Sequence, residues 1–364
     1  MREKVLLVSN VTGGLVNFRR ELLEALCLEY DVTVLASENI GRDLLDRLGC
    51  TFINTDFDRH GTNPVRELGL YFRYKKLIKQ IAPKIVMTYT IKPNIYAGAA
   101  CASLGIPYVV NVTGLGAAVE NGGLMQKVTV PMYRYGIRKA QKVFFQNAEN
   151  QRFMLEHKML RGPYELLPGS GVNLDRFKLL DYPKGDEVHF VFISRVIKAK
   201  GIDQFIEAAE YISAKYPYTR FHVCGNCEQE YEGRLKELTD RGILIYHGRV
   251  NDIPAIHKLS ACTVHPSYYP EGMSNVLLES AASGRPVITT RRAGCREVVD
   301  EGISGYLVNE RDSKDLIEKI EQFLALSWDQ RRDMGLAGRK KVESEFDRRI
   351  VVEKYLKEIQ ASKR

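Results

Sequence analysis

The stretch Cys262-Thr-Val-His265-Pro-Ser-Tyr-Tyr-Pro270-Glu271-Gly-Met-Ser-Asn-Val-Leu-Leu-Glu279 reads as a strand, a loop and the start of a helix. Cys262–His265 is short and apolar. Pro266 and Pro270 bound a loop of small residues, and Val276, Leu277 and Leu278 open a helical apolar pattern. Pro286-Val-Ile-Thr289 then reads as the next strand. A strand–helix–strand unit of this kind makes a parallel pair. Glu271 and Glu279 lie eight positions apart across the loop–helix junction. Free N–H groups at a helix start attract anions, phosphates above all. A carboxylate on either side of those amides can accept hydrogen bonds from a polyhydroxylated ligand. Phosphate held by amides and sugar held by carboxylates describe a nucleotide-sugar site.

Working outward, the same alternation fills the second half of the chain. Strands read at His189–Ser194, Arg220–Cys224, Leu244–His247 and Gly305–Val308, with helices at 201–216, 228–241, 253–258, 274–282, 293–300 and 313–326. The tail 328–363 reads as two or three further helices. In the first half, strands at Lys4–Ser9, Asp31–Ala36, Thr51–Asn54, Ile85–Thr88, Tyr108–Asn111, Lys142–Phe145 and Tyr164–Leu167 alternate with helices. Among these, 15–30 reads as one helix preceded by a turn at Asn10–Gly14. The breaker-rich stretch from Pro168 to Asp186 is the expected linker. The expected fold class is α/β, with two doubly wound, Rossmann-like domains facing across a cleft. Their expected bounds are 1–178, joined by a returning C-terminal helix at 350–364, and 179–349.

The bulk numbers agree with that division, since 364 residues exceed one ordinary core. No run approaches the ~20 apolar residues of a membrane span, and no secretory signal is evident at the start. Seven scattered cysteines argue for reduced thiols in a cytosolic protein rather than for a disulfide framework. Cys224-Gly-Asn-Cys227 could be a redox pair or half a zinc site. With no second CxxC or histidine pair, a strand end running into a glycine turn is the favoured reading.

Charge is unevenly placed. Residues 1–178 carry 24 Lys and Arg against 16 Asp and Glu, whereas 179–364 carry 29 of each. From Arg66 to Arg161 the tally is 15 against 4, and no Asp occurs there. The first half is therefore expected to meet an anionic surface or substrate. No nucleic-acid-binding motif appears, which disfavours nucleic acid.

Two further clusters carry chemistry. Gly13-Gly14 sits where a strand passes into a helix, so backbone could approach a phosphate; a tight turn alone is the competing reading. Neither a GxGxxG fingerprint nor a P-loop is present. Ser194-Arg195-Val-Ile-Lys198-Ala-Lys200-Gly201 follows the first strand of the second half, where ligands of such folds bind. Arg195 offers a fork for two phosphate oxygens and Lys200 a point charge.

Ser194-Arg195, Lys200-Gly201, Pro266-Ser267, Glu271-Gly272 and Glu279 together resemble the family 4 retaining glycosyltransferases of the GT-B fold. The resemblance implies that Glu279 holds the nucleotide ribose and that Glu271 contacts donor-sugar hydroxyls. Gly272, Met273, Ser274 and Asn275 would offer amides to the donor, and Arg195 and Lys200 would bind its diphosphate. Gly13, Gly14, Gly225 and Val250 complete the implied donor set. Glu271, Arg195 and Lys200 are the expected catalytic residues; no side-chain nucleophile is required if the leaving phosphate oxygen accepts the acceptor's proton. No cofactor and no metal are expected, because no DxD-like pair stands at a strand end and two cations can neutralise the diphosphate.

One departure concerns the first half, where many members carry a histidine after a strand. Here Tyr89-Thr-Ile-Lys92-Pro-Asn-Ile-Tyr96 has none, and His60 lies in a polar loop. Lys92, His60, Thr113 and Gly114 are the acceptor-side candidates. With Asn111-Val-Thr-Gly-Leu-Gly116, the Tyr89–Tyr96 segment resembles bacterial O-antigen, capsule and lipid-linked oligosaccharide glycosyltransferases. The implied reaction moves a hexose or N-acetylhexosamine from a UDP-sugar to a polyprenyl-diphosphate-linked saccharide. Helices at 64–81 and 125–142 mix apolar side chains with Arg66, Arg73, Lys75, Lys76, Lys127, Arg134 and Arg138. They read either as membrane-docking faces or as core stripes with solvated basic sides. The expected location is the inner face of the cytoplasmic membrane. A UDP-sugar 2-epimerase of similar architecture and a catalytically silent nucleotide-sugar-binding scaffold are the alternatives.

Overall fold

A computed structural model describes residues 2–37, 40–55, 64–116, 119 and 122–362. The chain divides into two compact units, Met1–Gly171 with Arg348–Arg364, and Val172–Asp347. The crossings fall at 171/172 and 347/348, a few residues ahead of the boundaries read from the linker. Packing explains the shift. The Val172 N–H donates to the Phe346 carbonyl at 2.8 Å, and Val172 and Phe177 are buried with Leu277 and Val342 of the second unit.

The first unit holds one parallel sheet of seven strands. They are β1 (Lys4–Val8), β2 (Asp31–Ala36), β3 (Thr51–Asn54), β4 (Ile85–Tyr89), β5 (Tyr108–Val112), β6 (Lys142–Phe145) and β7 (Tyr164–Leu166), in the spatial order 3-2-1-4-5-6-7. The second unit holds six, β8 (Val188–Ile193), β9 (Thr219–Cys224), β10 (Ile245–Tyr246), β11 (Cys262–His265), β12 (Val287–Thr290) and β13 (Gly305–Val308), in the order 10-9-8-11-12-13. Every strand pair is parallel, as helical crossovers require. Central strands are apolar on both faces because helices cover both. Phe190 and Phe192 of β8 enter one cluster, and Val191 and Ile193 enter another.

Strand order reverses between β1 and β4 and again between β8 and β11. Ligands of doubly wound sheets bind outside the carboxyl ends at these reversals, so each unit has one edge to inspect. The helix Arg348–Ala361 belongs to the first unit and buries Val351, Tyr355 and Ile359 there, beside Leu22 and Leu26. Tyr355 Oη donates to Asn111 Oδ1 at 2.5 Å, which ties the returning helix to β5.

Three local expectations need correction. Gly13 and Gly14 lie inside the first turn of the helix Thr12–Phe18, not in a turn before it. The single helix at 15–30 is two, Thr12–Phe18 and Arg20–Glu29, because buried Arg19 leaves helical geometry at φ −134°. The helix at 293–300 shrinks to one short turn, Arg296–Val298, since Gly294 sits at φ +87°. Cys224-Gly-Asn-Cys227 is a strand end entering a glycine turn, and all seven cysteines are free thiols.

Candidate active site

At the reversal in the second sheet, the chain leaving β8 carries Ser194 and Arg195. The chain leaving β11 carries Ser267, Tyr269 and Glu271. Two glycines let these loops pack on backbone. Gly225 sits at φ +148°, and a Cβ there would fall 1.7 Å from the Ser194 carbonyl oxygen. Gly201 sits at φ +78°, and its Cβ would fall 2.1 Å from the Pro266 carbonyl oxygen. No side chain fits either gap. The turn Lys198–Lys200 is thereby pressed against the loop after β11, which carries Lys200 to Glu271.

The Lys200 ammonium donates to Glu271 Oε1, and both side chains are largely buried. Ser267 Oγ donates to the same oxygen at 3.4 Å. His265, the last residue of β11, places Nε2 3.8 Å from it and is 1% exposed. Burial of Glu271 works against ionisation. The His265 imidazole and the Lys200 charge outweigh it and hold the carboxyl at about 2. Burial pushes the His265 imidazole down, so the ring is neutral. The cluster therefore presents a carboxylate that stays charged across the physiological range.

Arg195 is exposed, and among the described residues no carboxylate pairs with it. Its guanidinium lies 5.5 Å from the centre of the Tyr269 ring, with the Lys200 ammonium 4.7 Å from the same ring. A ring face orients a cation without neutralising it. Arg195 is thus left with its charge available to an anion.

Glu271 leads directly into the helix Asn275–Ala282. Its N-cap residue, Ser274, makes no side-chain cap bond, and the Ser274 N–H donates to the Gly294 carbonyl at 2.7 Å. Gly294 is pressed on this segment, since a Cβ there would meet the Gly272 carbonyl at 2.9 Å. Met273 is buried with Leu277 and Val298, so only its backbone is at the edge. Glu279 stands on the second turn of the helix. Val250 and Val276 are both half-buried against the cluster of Val191, Ile193, Cys224 and Ile256, and the Gly225 N–H donates to the Gly248 carbonyl at 2.8 Å, which brings the segment before Val250 beside Gly225. The structure therefore gathers Arg195, Lys200, Gly225, Val250, Gly272–Asn275, Glu271 and Glu279 at one end of the second sheet.

In the first unit, Gly13 and Gly14 follow β1, Lys92 follows β4, and Thr113 and Gly114 follow β5. All lie at the carboxyl edge of the first sheet. The helix Thr12–Phe18 has no side-chain cap, and a Cβ on Gly14 would meet nothing within 4 Å. Lys92 is not an open cation: its ammonium donates to Glu67 Oε1 at 2.7 Å, with both side chains about 15% exposed. Thr90 adopts φ +71°, an uncommon conformation for a β-branched residue, two positions before Lys92. His60 lies outside the described residues.

Sequence reasoning missed His265 and Tyr269 as parts of the site, and took Ser267 only as a motif residue with no role. His265 carried a signal, a histidine at the carboxyl end of a strand. Tyr269 carried none, because the cations on its ring, Arg195 and Lys200, come from a distant segment of the chain.

Two doubly wound units, each with strand order reversing beside its first strand, define the class as the GT-B fold. The second unit matches the model of the group 1 glycosyl transferases over residues 180–341, and the first matches the glycosyl transferase 4-like model over 4–147. The chain belongs to this glycosyltransferase family. It is 25% identical, over 96% of both chains, to the N,N'-diacetylbacillosaminyl-diphospho-undecaprenol alpha-1,3-N-acetylgalactosaminyltransferase of Campylobacter jejuni. The capsular polysaccharide biosynthesis glycosyltransferase CapM of Staphylococcus aureus is 29% identical over half of each chain. Among solved structures, Anabaena Alr3699/HepE in complex with UDP and glucose superposes with a TM-score of 0.80, at 16% identity over 100% of both chains.

Proposed function

We propose that this glycosyltransferase moves a hexose or N-acetylhexosamine from a UDP-sugar to a polyprenyl-diphosphate-linked saccharide, with retention and without a metal. The observation that carries the donor half is the cluster at the end of β8 and β11. An ionised Glu271 stands beside an uncapped helix start, with Lys200 and an unneutralised Arg195 alongside. Glu271 accepts hydrogen bonds from donor-sugar hydroxyls, and Glu279 from the ribose. Arg195, Lys200 and the amides of Gly272, Met273 and Asn275 hold the diphosphate, the Ser274 amide being taken by the Gly294 carbonyl.

The bond between the anomeric carbon and the β-phosphate oxygen breaks, and the anomeric carbon bonds the acceptor hydroxyl oxygen on the same face. The hydroxyl proton passes to the departing phosphate oxygen. Negative charge grows on that oxygen, so cations aimed there stabilise the transition state. Lys200 and Arg195 supply the charge that a metal ion otherwise would. Among the described residues, no three His, Cys, Asp or Glu side chains converge as ligands.

The UDP and glucose of the Anabaena complex support a UDP-sugar donor. The diphospho-undecaprenol acceptor in the name of the Campylobacter relative supports the lipid-linked acceptor. Membrane attachment through the first unit agrees with its surface. The helix Pro64–Ile81 buries Leu70, Tyr74 and Ile78 but exposes Val65, Leu68 and Phe72 among its basic residues. The helix Gly123–Ile137 exposes Leu124, Met125, Val128 and Tyr135. No described helix is long and apolar enough to cross a membrane. Apolar and basic side chains together suit the inner, anionic leaflet.

The test is UDP release from a panel of UDP- and GDP-sugars with undecaprenyl-diphosphate-linked saccharides, with and without EDTA. The expected result is acceptor-dependent release that chelation leaves unchanged, and a product of retained configuration. Free epimerised sugar nucleotide would point to an epimerase. Binding of UDP without any turnover would point to a scaffold. Activity lost to EDTA and restored by Mn²⁺ would overturn metal independence.

A further inference from the structure

His265 has no part in the donor contacts described above, yet it is fully buried beneath them. Among the described residues neither ring nitrogen has a partner at hydrogen-bonding distance, which is costly for a buried polar group. Phe192 lies tilted against the ring at 6.4 Å between centres, so one flank is apolar. The polar group that its Nε2 does approach is Glu271 Oε1, 3.8 Å away. That oxygen already accepts from Lys200 and from Ser267.

We propose that His265 is a positioning residue for Glu271, taking up its carboxylate by an Nε2–H hydrogen bond when Lys200 turns to the donor diphosphate. The inference rests on the donor-site assignment of Glu271 and Lys200. Lys200 serves two anions in that assignment. Without donor it neutralises Glu271; with donor it faces the phosphate. Glu271 would then be a buried carboxylate that has lost the ammonium's charge, and its burial would favour taking up a proton. A protonated Glu271 would lose acceptor capacity toward sugar hydroxyls. A neutral imidazole within an ångström of hydrogen-bonding distance, with no competing partner among the described residues, prevents this. Its burial keeps it neutral, so it adds a donor without adding a charge that would compete with Lys200.

The role separates sugar binding from nucleotide binding. Glu271 meets the sugar, whereas UDP needs only the diphosphate and ribose contacts. His265→Leu removes the donor and keeps an apolar filler; His265→Gln restores an N–H. Affinities for UDP and for UDP-glucose, UDP-N-acetylglucosamine and UDP-N-acetylgalactosamine would be measured by calorimetry on the full chain, with melting temperatures alongside. The sugar that binds wild type best would be retained for comparison. We expect His265→Leu to keep UDP affinity within about twofold, to weaken the UDP-sugar about tenfold or more, and to lower kcat. His265→Gln should recover most of the loss. Equal loss of UDP and UDP-sugar affinity in both variants would show a merely structural histidine. Unchanged affinity and kcat in His265→Leu would also overturn the proposal. Wild type that binds UDP but no UDP-sugar would overturn it together with the donor assignment. If His265→Leu does not fold, the same comparison of UDP with UDP-sugar on His265→Met, which likewise lacks an N–H donor, decides: a selective loss of sugar affinity supports the role, and a uniform loss or none rejects it.

Discussion

Lys200 and Glu271 are seventy-one positions apart in sequence and share a hydrogen bond in a largely buried setting. The pair is held by backbone packing of Gly201 on Pro266, not by the side chains alone. Removing one member leaves the other charge buried without its partner, at a cost of about 3–5 kcal/mol, whereas replacing both can be nearly neutral. We therefore expect Lys200→Met to lower stability more than the double variant Lys200→Met/Glu271→Leu. Urea unfolding of the three proteins gives the comparison. All should lose turnover, because the double variant recovers packing and not chemistry.

Arg195 is exposed and has an aromatic face rather than a carboxylate for company. Its removal should leave the melting temperature almost unchanged. Loss of a cation aimed at the leaving diphosphate should lower kcat by about 10²–10³. Arg195→Ala assayed by UDP release, with a thermal melt, tests both halves of the statement. An equal fall in stability and activity would assign Arg195 to the scaffold.

Gly14 and Gly201 make opposite predictions for the same substitution. Gly14 lies in a helix with open space beside it, so Gly14→Ala should be neutral or stabilising by up to about 1 kcal/mol. Gly201 is left-handed and in backbone contact, so Gly201→Ala should destabilise by at least about 1–2 kcal/mol. It should also separate Lys200 from Glu271 and reduce turnover. Melting curves beside UDP titrations distinguish the two sites.

Three histidines form a ladder across the second sheet. His189 Nδ1 lies 2.8 Å from His222 Nε2, and His222 Nδ1 lies 2.9 Å from His247 Nε2. Burial, then the neighbouring His189, His247 and Arg220, push His222 down to about 4. The unfolded chain, with an ordinary value near 6.5, binds more protons between these limits. This contribution to stability is full above about pH 6.5 and is lost as pH falls toward 4. Burial pushes His189 and His247 in the same direction. Denaturant unfolding read from Trp328, the one tryptophan, should show wild type losing stability from pH 7 to 5 and His222→Gln losing less.

Membrane attachment predicts a surface, not a span. Sedimentation with vesicles of phosphatidylglycerol should carry the protein down at low salt, and less of it at high salt. Leu124→Glu with Val128→Glu should abolish sedimentation without changing UDP affinity, since both side chains face solvent. Unchanged sedimentation in the double variant would move the contact elsewhere.

Much of this protein is determined by local pattern. Alternating apolar strands and amphipathic helices specify two parallel sheets, because periodicity and turn chemistry act over a few residues. The Glu271–Glu279 segment shows its strand, loop and helix start without any partner in view. What lies between distant segments is different. The helix Pro64–Ile81 carries apolar residues all along, and only packing on Gly98–Leu104 sends Leu70 and Tyr74 inward and leaves Leu68 and Phe72 outside. Lys92 looks like an open cation in the sequence; the fold pairs it with Glu67. Lys200, Tyr269, His265 and Glu271 become one electrostatic unit only because β8 and β11 are neighbours in the sheet. Strand order sets those distances, and no spacing along the chain encodes them.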